Sequence, residues 1–247
     1  MKATQVDLNA DLGEGAPNDR ELLQLISSAN ISCGAHAGDA DSIRAALQNA
    51  VEFGVVVGAH PSYPDREHMG RRSLDIPINE LRDSILRQLK YLCDMASFEG
   101  ARVCHVKAHG ALYNDMATDQ ALAEKFCDWV REFDTRLTVV GLAGSALLQT
   151  ARVFGIRTRA EAFVDRRYQT DGTLVPRSQP DALIHDADAA IKQALSIIKH
   201  GYLMTVTGQR LSVNAETFCV HGDTPEALLF ASRLVTSLRE EGIRIAS

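Results

Sequence analysis

Cysteine is scarce in this chain and never paired in sequence. The five residues, Cys33, Cys93, Cys104, Cys127 and Cys219, are odd in number and include no CxxC spacing, which excludes a disulfide framework and a zinc ribbon and leaves buried thiols as the expectation. Long apolar runs are missing too. Nothing approaches the about 18 residues of a membrane span, and the opening Met1-Lys2-Ala3-Thr4-Gln5-Val6-Asp7 lacks the apolar stretch of a signal peptide. A cytoplasmic protein without membrane contact is expected. Nor is charge blocked: the 26 basic and 32 acidic residues are interspersed and sum to −6, so neither a nucleic-acid footprint nor a basic membrane face is expected. Phosphate loops are absent as well. Leu12-Gly13-Glu14-Gly15, Cys33-Gly34 and Ala37-Gly38 follow neither the P-loop nor a full GxGxxG spacing, so a nucleotide would have to bind without them.

What is present is alternation. Short β-rich runs at Gln5–Asn9, Ala29–Ser32, Val55–Gly58, Arg102–Lys107, Leu137–Gly141, Arg157–Ala162 and Thr217–His221 alternate with amphipathic segments along the chain, the pattern of βα units around a parallel sheet. The clearest helix follows Pro77, with Leu81, Ile85, Leu89, Leu92 and Ala96 on one face and Gly100 at its end. Others are marked by Ile43, Leu47 and Ala50, by Leu122, Phe126, Trp129 and Phe133, and by Ile191, Leu195 and Ile198. Asn18 with Glu21 reads as a capping box, and Thr224-Pro225 as N-cap and first residue of the last helix. Two stretches break the alternation, an Arg-rich loop between Phe163 and Pro180 and a hairpin between Tyr202 and Val213 turning at Thr207-Gly208-Gln209. The expectation is one domain over residues 1–247, a parallel β/α barrel of seven strands.

Polar residues gather where these strands end, the end at which barrel enzymes place their sites. Residues two apart on a strand share a face, which groups Asp7, Asn9 and Asp11; His105, Lys107 and His109; Arg159 and Glu161; and Cys219, His221 and Asp223. In a barrel wrapped by helices both faces are covered, so such groups need partners or a ligand. His36, His60, His109 and His221 each follow a strand beside Gly or Pro, and a catalytic or metal role is expected there. His68, His185 and His200 read as surface residues and His105 as one packed inside the barrel. A metal could be held by His36 and Asp39, with His60 and Asp11, although no HExxH spacing is present. Arg71, Arg72, Arg166, Arg167 and Arg177 are candidates for holding phosphate or carboxylate, and Tyr63, Tyr113 and Tyr168 read as packing residues.

At these residues the sequence resembles the LamB/YcsF family, which is equated with one of the subunits of 5-oxoprolinase. The matching segments are DLNADLGEG (7–15), ANISCGAHAGD (29–39), GAHPSYPD (58–65), GRR (70–72), VKAHGALYN (106–114), EAFVDRRY (161–168), LVPR (174–177) and CVHGD (219–223), in family order along the whole chain. The family pattern has proline where Ala108 stands and usually alanine where Val164 stands. The resemblance implies a barrel related to the glycoside hydrolase/deacetylase superfamily. It also implies ATP-dependent opening of 5-oxoproline to L-glutamate, shared with two partner subunits that resemble allophanate hydrolase subunits. ATP is then the cosubstrate, with a divalent metal either accompanying it or bound in the site. Under that reading Asp11, His60, Lys107, His109, Glu161 and Asp223 are the expected catalytic residues, and Asn9, Glu14, Arg71, Arg72, Arg166, Arg177 and His221 the expected binding residues. Lys107→Met is expected to abolish turnover at little cost in stability. Two alternatives stay open: a stand-alone metal-dependent deacetylase or amide hydrolase, and a non-catalytic lactam-binding subunit.

Overall fold

The computed structural model describes residues 5–220 and 227–247. In chain order its elements are β1 (Gln5–Leu12), α1 (Asp19–Leu23), β2 (Ser28–Ser32), α2 (Ala40–Phe53), β3 (Val56–His60), α3 (Ile78–Phe98), β4 (Val103–Lys107), α4 (Gly110–Thr118) and α5 (Gln120–Phe133). There follow β5 (Thr138–Leu142), α6 (Ala146–Val153), β6 (Thr158–Phe163), α7 (Ala187–His200), β7 (Tyr202–Met204), β8 (Arg210–Ser212), β9 (Thr217–Cys219), α8 (Ala227–Glu240) and β10 (Arg244–Ile245). Strands β1 to β6 pair in sequence order, and β9 closes the ring by pairing with both β6 and β1, every pairing parallel. The result is a closed seven-stranded parallel barrel. The two-residue strand β10 pairs with the first residues of β1, and β7 with β8 forms the separate antiparallel hairpin.

Alternation along the strands sorts the two faces. Val6, Leu8, Ala10 and Leu12 of β1, with Ala29 and Ile31 of β2, Val57 and Ala59 of β3 and Val106 of β4, join the apolar core beneath the helices. The helices answer with matching stripes: on α3, Leu81, Ile85, Leu89, Leu92 and Ala96 are buried, while Lys90 and Asp94 pair on the exposed side at 2.9 Å. The inner face is polar. Asn9 donates to Thr217 Oγ1 (2.7 Å) and Glu161 Oε1 (2.9 Å), Thr217 donates to Asp7 (2.5 Å), and Asn30 donates to Asn9 Oδ1 (2.8 Å). Ser28 and Arg159 also reach Asp7, at 2.8 and 3.3 Å. A barrel interior so filled is tolerable because these groups answer one another.

His105 lies within this interior, its Nε2 2.9 Å from Asn30 Oδ1. Burial pulls its pKa down to about 4, so the ring is neutral. The ring occupies the space a side chain at Gly58 would need: a Cβ there would lie 2.0 Å from His105 Nε2. The register between β3 and β4 shifts at the same place, between Val57 and Gly58.

Several local expectations are corrected. Asn18 precedes α1 but makes no side-chain cap, and Asp19 instead accepts the Gly13 N–H at 2.7 Å. Helices α4 and α6 had no counterpart among the expected elements; both are short, nine and eight residues, and carry too few turns for a clear periodic stripe. The Arg-rich loop is organised by isolated bridges between Arg166 and Leu183 and between Tyr168 and Leu174. Cys104 is exposed, alternating on β4 with the buried His105, and Cys93 is half-buried; the other three cysteines are buried, and all five are free thiols. Thr224 and Pro225 lie outside the described residues.

Candidate functional site

The carboxyl ends of the strands surround a cavity of about 740 Å³. Asp11, Glu14, His60, Lys107, His109 and Tyr113 line it, as do Arg71, Arg72, Arg166 and Arg177. On one side Lys107 rises from the last position of β4 and is only 2% exposed. Its ammonium donates to Asp11 Oδ1 at 3.0 Å and Glu161 Oε1 at 2.8 Å, with Asn9 Oδ1 and Cys219 Sγ each at 3.3 Å. Burial alone would discharge the lysine, but Asp11 and Glu161 outweigh it and hold the pKa well above the ordinary value. For Asp11 burial pushes upward, and His60 and Lys107 overcome it to keep the carboxyl well below the usual range. Tyr113, from the first turn of α4, donates to Glu161 Oε2 at 2.7 Å; burial and that carboxylate keep its phenol protonated.

The other side is built from three imidazoles. His60 Nε2 lies 3.2 Å from Asp11 Oδ2 and 2.9 Å from His109 Nδ1. His36 stacks on His109 with ring centroids 3.9 Å apart and meets Glu14 Oε1 at 3.2 Å. Glu14 in turn lies 3.4 Å from His109 Nδ1. Burial, together with the neighbouring imidazoles, lowers the pKa of His109 well below the usual histidine value; burial likewise lowers that of His36. Two donor sets are close enough to hold a metal, Asp11–His60–His109 and Glu14–His36–His109, the potential ligand atoms of each lying within 4.8 Å of one another.

Glycines make this crowding feasible. Gly38, at φ +72°, would put a Cβ 2.0 Å from the Gly13 carbonyl oxygen, so the loops after β1 and β2 touch through bare backbone. Gly70, at φ +64°, lets the loop after β3 pass Ser62, His36 and His109, and the adjacent Met69 carbonyl receives the His109 Nε2–H at 3.0 Å.

The structure thus brings Asp11, Glu14, His60, Lys107 and His109 to one cavity, with Asn9, His36 and Glu161 packed behind its wall. Asp39 is elsewhere. Its carboxylate caps α2 by accepting the Ser42 N–H at 2.8 Å on the exposed surface, and the carboxylate beside His36 is Glu14. Arg166 is buried, with Nη2 donating to the Val175 carbonyl (2.7 Å) and Nε to that of Ala182 (3.3 Å), so much of its fork holds the loop over the cavity. Arg71, Arg72 and Arg177 are exposed on the cavity's edge. His221 and Asp223 lie outside the described residues. Two residues not singled out for chemistry belong to the site: Tyr113 through its bond to Glu161, and His68, which lines the cavity and pairs with Asp65 at 3.0 Å. The first lies in the same VKAHGALYN segment as Lys107, and only the turn into α4 carries it back over the strand end.

Known structures share this architecture. At 12% identity, a family 4 carbohydrate esterase from Streptomyces lividans in complex with acetate superposes with a TM-score of 0.50, covering 100% of this chain and 94% of its own. The peptidoglycan N-acetylglucosamine deacetylase Bc1960 superposes at 0.52 with 11% identity, covering 99% and 86%. These likenesses establish the fold. A lactam utilization protein from Thermus thermophilus is much nearer, with 36% identity, a TM-score of 0.90 and coverage of 98% of this chain and 99% of that one. The model of the LamB/YcsF family matches residues 6–247, and the chain belongs to that family.

Proposed function

We propose that this chain carries the site at which the ring of 5-oxoproline is opened to L-glutamate at the expense of ATP, as one component of a multi-subunit 5-oxoprolinase. Family membership and the 36% identity to a lactam utilization protein support a lactam-related role. The single observation that carries the catalytic reading is Lys107, a charged ammonium 2% exposed that faces the cavity from between two carboxylates. Such an arrangement is costly to build and is suited to stabilising negative charge that develops during a reaction.

A lactam carbonyl is a poor electrophile, and ATP removes that obstacle by phosphorylating the amide oxygen. Water then adds to the same carbon, the carbon–nitrogen bond breaks as nitrogen takes a proton, and a second water releases phosphate. In this scheme Lys107 faces the developing oxyanion. Arg71, Arg72 and Arg177 at the cavity edge hold the substrate carboxylate or phosphate. Glu14, which lines the cavity and meets His36 at 3.2 Å, takes a proton from water and returns one to nitrogen, beside the wall formed by Asp11, His60 and His109. Glu161 and Asn9 sit behind Lys107 and position it.

The test is release of glutamate and ADP from 5-oxoproline by this chain with its two partner subunits, each omitted in turn. Activity that needs all three polypeptides and ATP is the expected result. Full activity of the partners without this chain would reduce it to a binding role. The histidine–carboxylate cluster favours a second reading, a stand-alone amide hydrolase or deacetylase, for which the distinguishing result is ATP-independent hydrolysis by this chain alone.

A further inference from the structure

The three-histidine cluster poses a problem of proton counting that is independent of the lactam reading. His60 Nδ1 lies 2.8 Å from the Lys107 carbonyl oxygen, and His109 Nε2 lies 3.0 Å from that of Met69. A carbonyl oxygen only accepts, so in each neutral ring the proton is fixed on that outward nitrogen. The inward nitrogens, His60 Nε2 and His109 Nδ1, therefore present lone pairs to one another at 2.9 Å. Into the same space point Asp11 Oδ2, 3.2 Å from His60, and Glu14 Oε1, 3.4 Å from His109. All four are acceptors. A second proton on His60 would satisfy the contacts to Asp11 and His109 but would leave His109 Nδ1 facing Glu14 Oε1 without a hydrogen between them.

The spacing suits a different solution. Ligands held about 2.0–2.1 Å from one ion at angles of about 90–109° stand about 2.9–3.4 Å apart; His60 Nε2 stands 2.9 Å from His109 Nδ1 and 3.2 Å from Asp11 Oδ2, whereas Glu14 Oε1, 4.0 Å from His60 Nε2, falls outside that range. The outward ring protons given to backbone carbonyls are the supporting bonds that metal-ligating histidines characteristically make. His36 supports the set by stacking on His109 with ring centroids 3.9 Å apart; its Nε2 meets Glu14 at 3.2 Å, while its Nδ1 is buried with no partner among the described residues. The other Asp11 oxygen is held by Lys107 at 3.0 Å and Asn30 at 2.9 Å, which fixes Oδ2 toward the imidazoles. We infer that Asp11 Oδ2, His60 Nε2 and His109 Nδ1 bind one divalent ion of the zinc, cobalt or manganese class, and that His36, stacked on His109, orients that ring. Two imidazoles in the set select such borderline ions over magnesium, which prefers oxygen ligands and retained water. A metal bound here supplies Lewis acidity at the wall of the cavity opposite the lysine's carboxylate partner Glu161.

The experiment measures metal on the purified chain, without partners or substrate. After chelation and dialysis, the native chain is titrated with Zn2+ and with Co2+, reading bound metal by elemental analysis and cobalt coordination by visible absorption. One equivalent per chain is expected, with a cobalt spectrum showing nitrogen ligation. His60→Ala and His109→Ala should each fall to a small fraction of an equivalent under the same conditions. His36→Ala should weaken binding about 10- to 100-fold, the effect of losing an orienting partner. Asp39→Ala should retain the full equivalent. Circular dichroism identifies a variant that has failed to fold, and the native titration does not depend on any variant. Absence of stoichiometric metal on the folded native chain, or metal retained after both His60 and His109 are replaced, would overturn the assignment.

Discussion

Replacing Lys107 by methionine isolates charge from volume. Methionine fills a similar space, so the cavity penalty is small and the change is electrostatic. The ammonium removed is 2% exposed and bridges Asp11 at 3.0 Å and Glu161 at 2.8 Å, the latter fully buried. Removing one partner of a buried pair costs about 3–5 kcal/mol. Glu161 keeps two donors, Asn9 at 2.9 Å and Tyr113 at 2.7 Å, which places the expected loss near the lower end, about 3 kcal/mol. The expectation from sequence that this variant costs little stability is therefore corrected by the burial of its partners. Urea unfolding at pH 8 should show that deficit. Adding Glu161→Gln should recover much of the stability while turnover in the reconstituted enzyme stays down by about 100- to 1,000-fold. A Lys107→Met chain as stable as the native one at pH 8 would refute the buried-pair argument, and one with normal turnover would remove the lysine from the mechanism.

Two further substitutions probe the scaffold. Gly58→Ala places a Cβ 2.0 Å from His105 Nε2 and should lower stability by about 1–3 kcal/mol through overpacking. Combining it with His105→Ala should recover part of that loss in thermal unfolding, and two purely additive losses would contradict the proposed clash. Asp19→Asn acts through pH. Burial, the leading cause, raises the Asp19 pKa from 3.8 to about 6 against the Gly13 N–H bond. The charged form is thus penalised in the fold by at most about 3 kcal/mol, reduced to about 1–2 by partial exposure. This penalty is absent below the unfolded pKa, grows as pH rises and is complete above the folded one. The asparagine can still accept from Gly13, so the variant should be more stable than the native chain at pH 8 and equal to it near pH 4; an equal difference at both would show that charge is not the cause.

The strands were legible because a parallel barrel writes a period of two into its sequence, and the same parity predicted that Asn9, Asp11, Lys107 and Glu161 would face inward. The interior bonds give that parity its physical reason: a polar residue at every second position survives only if its neighbours on adjacent strands answer it, as Asn30, Thr217 and His105 do. Loop residues carry no such period. From sequence, Asp39 was the carboxylate expected beside His36 and Glu14 a binding residue, but Asp39 has a competing local use. An aspartate with a serine three residues on, at the start of an apolar-striped helix, is an N-cap, and its bond to Ser42 N–H is satisfied within its own turn. Glu14 has no local helix to cap and is carried across the loop by Gly13 and Gly15, both at positive φ, to reach the imidazoles. The discriminating signal was therefore in the sequence as competition: a carboxylate already needed by nearby backbone is the weaker candidate for a distant site, and one flanked by glycines is the stronger.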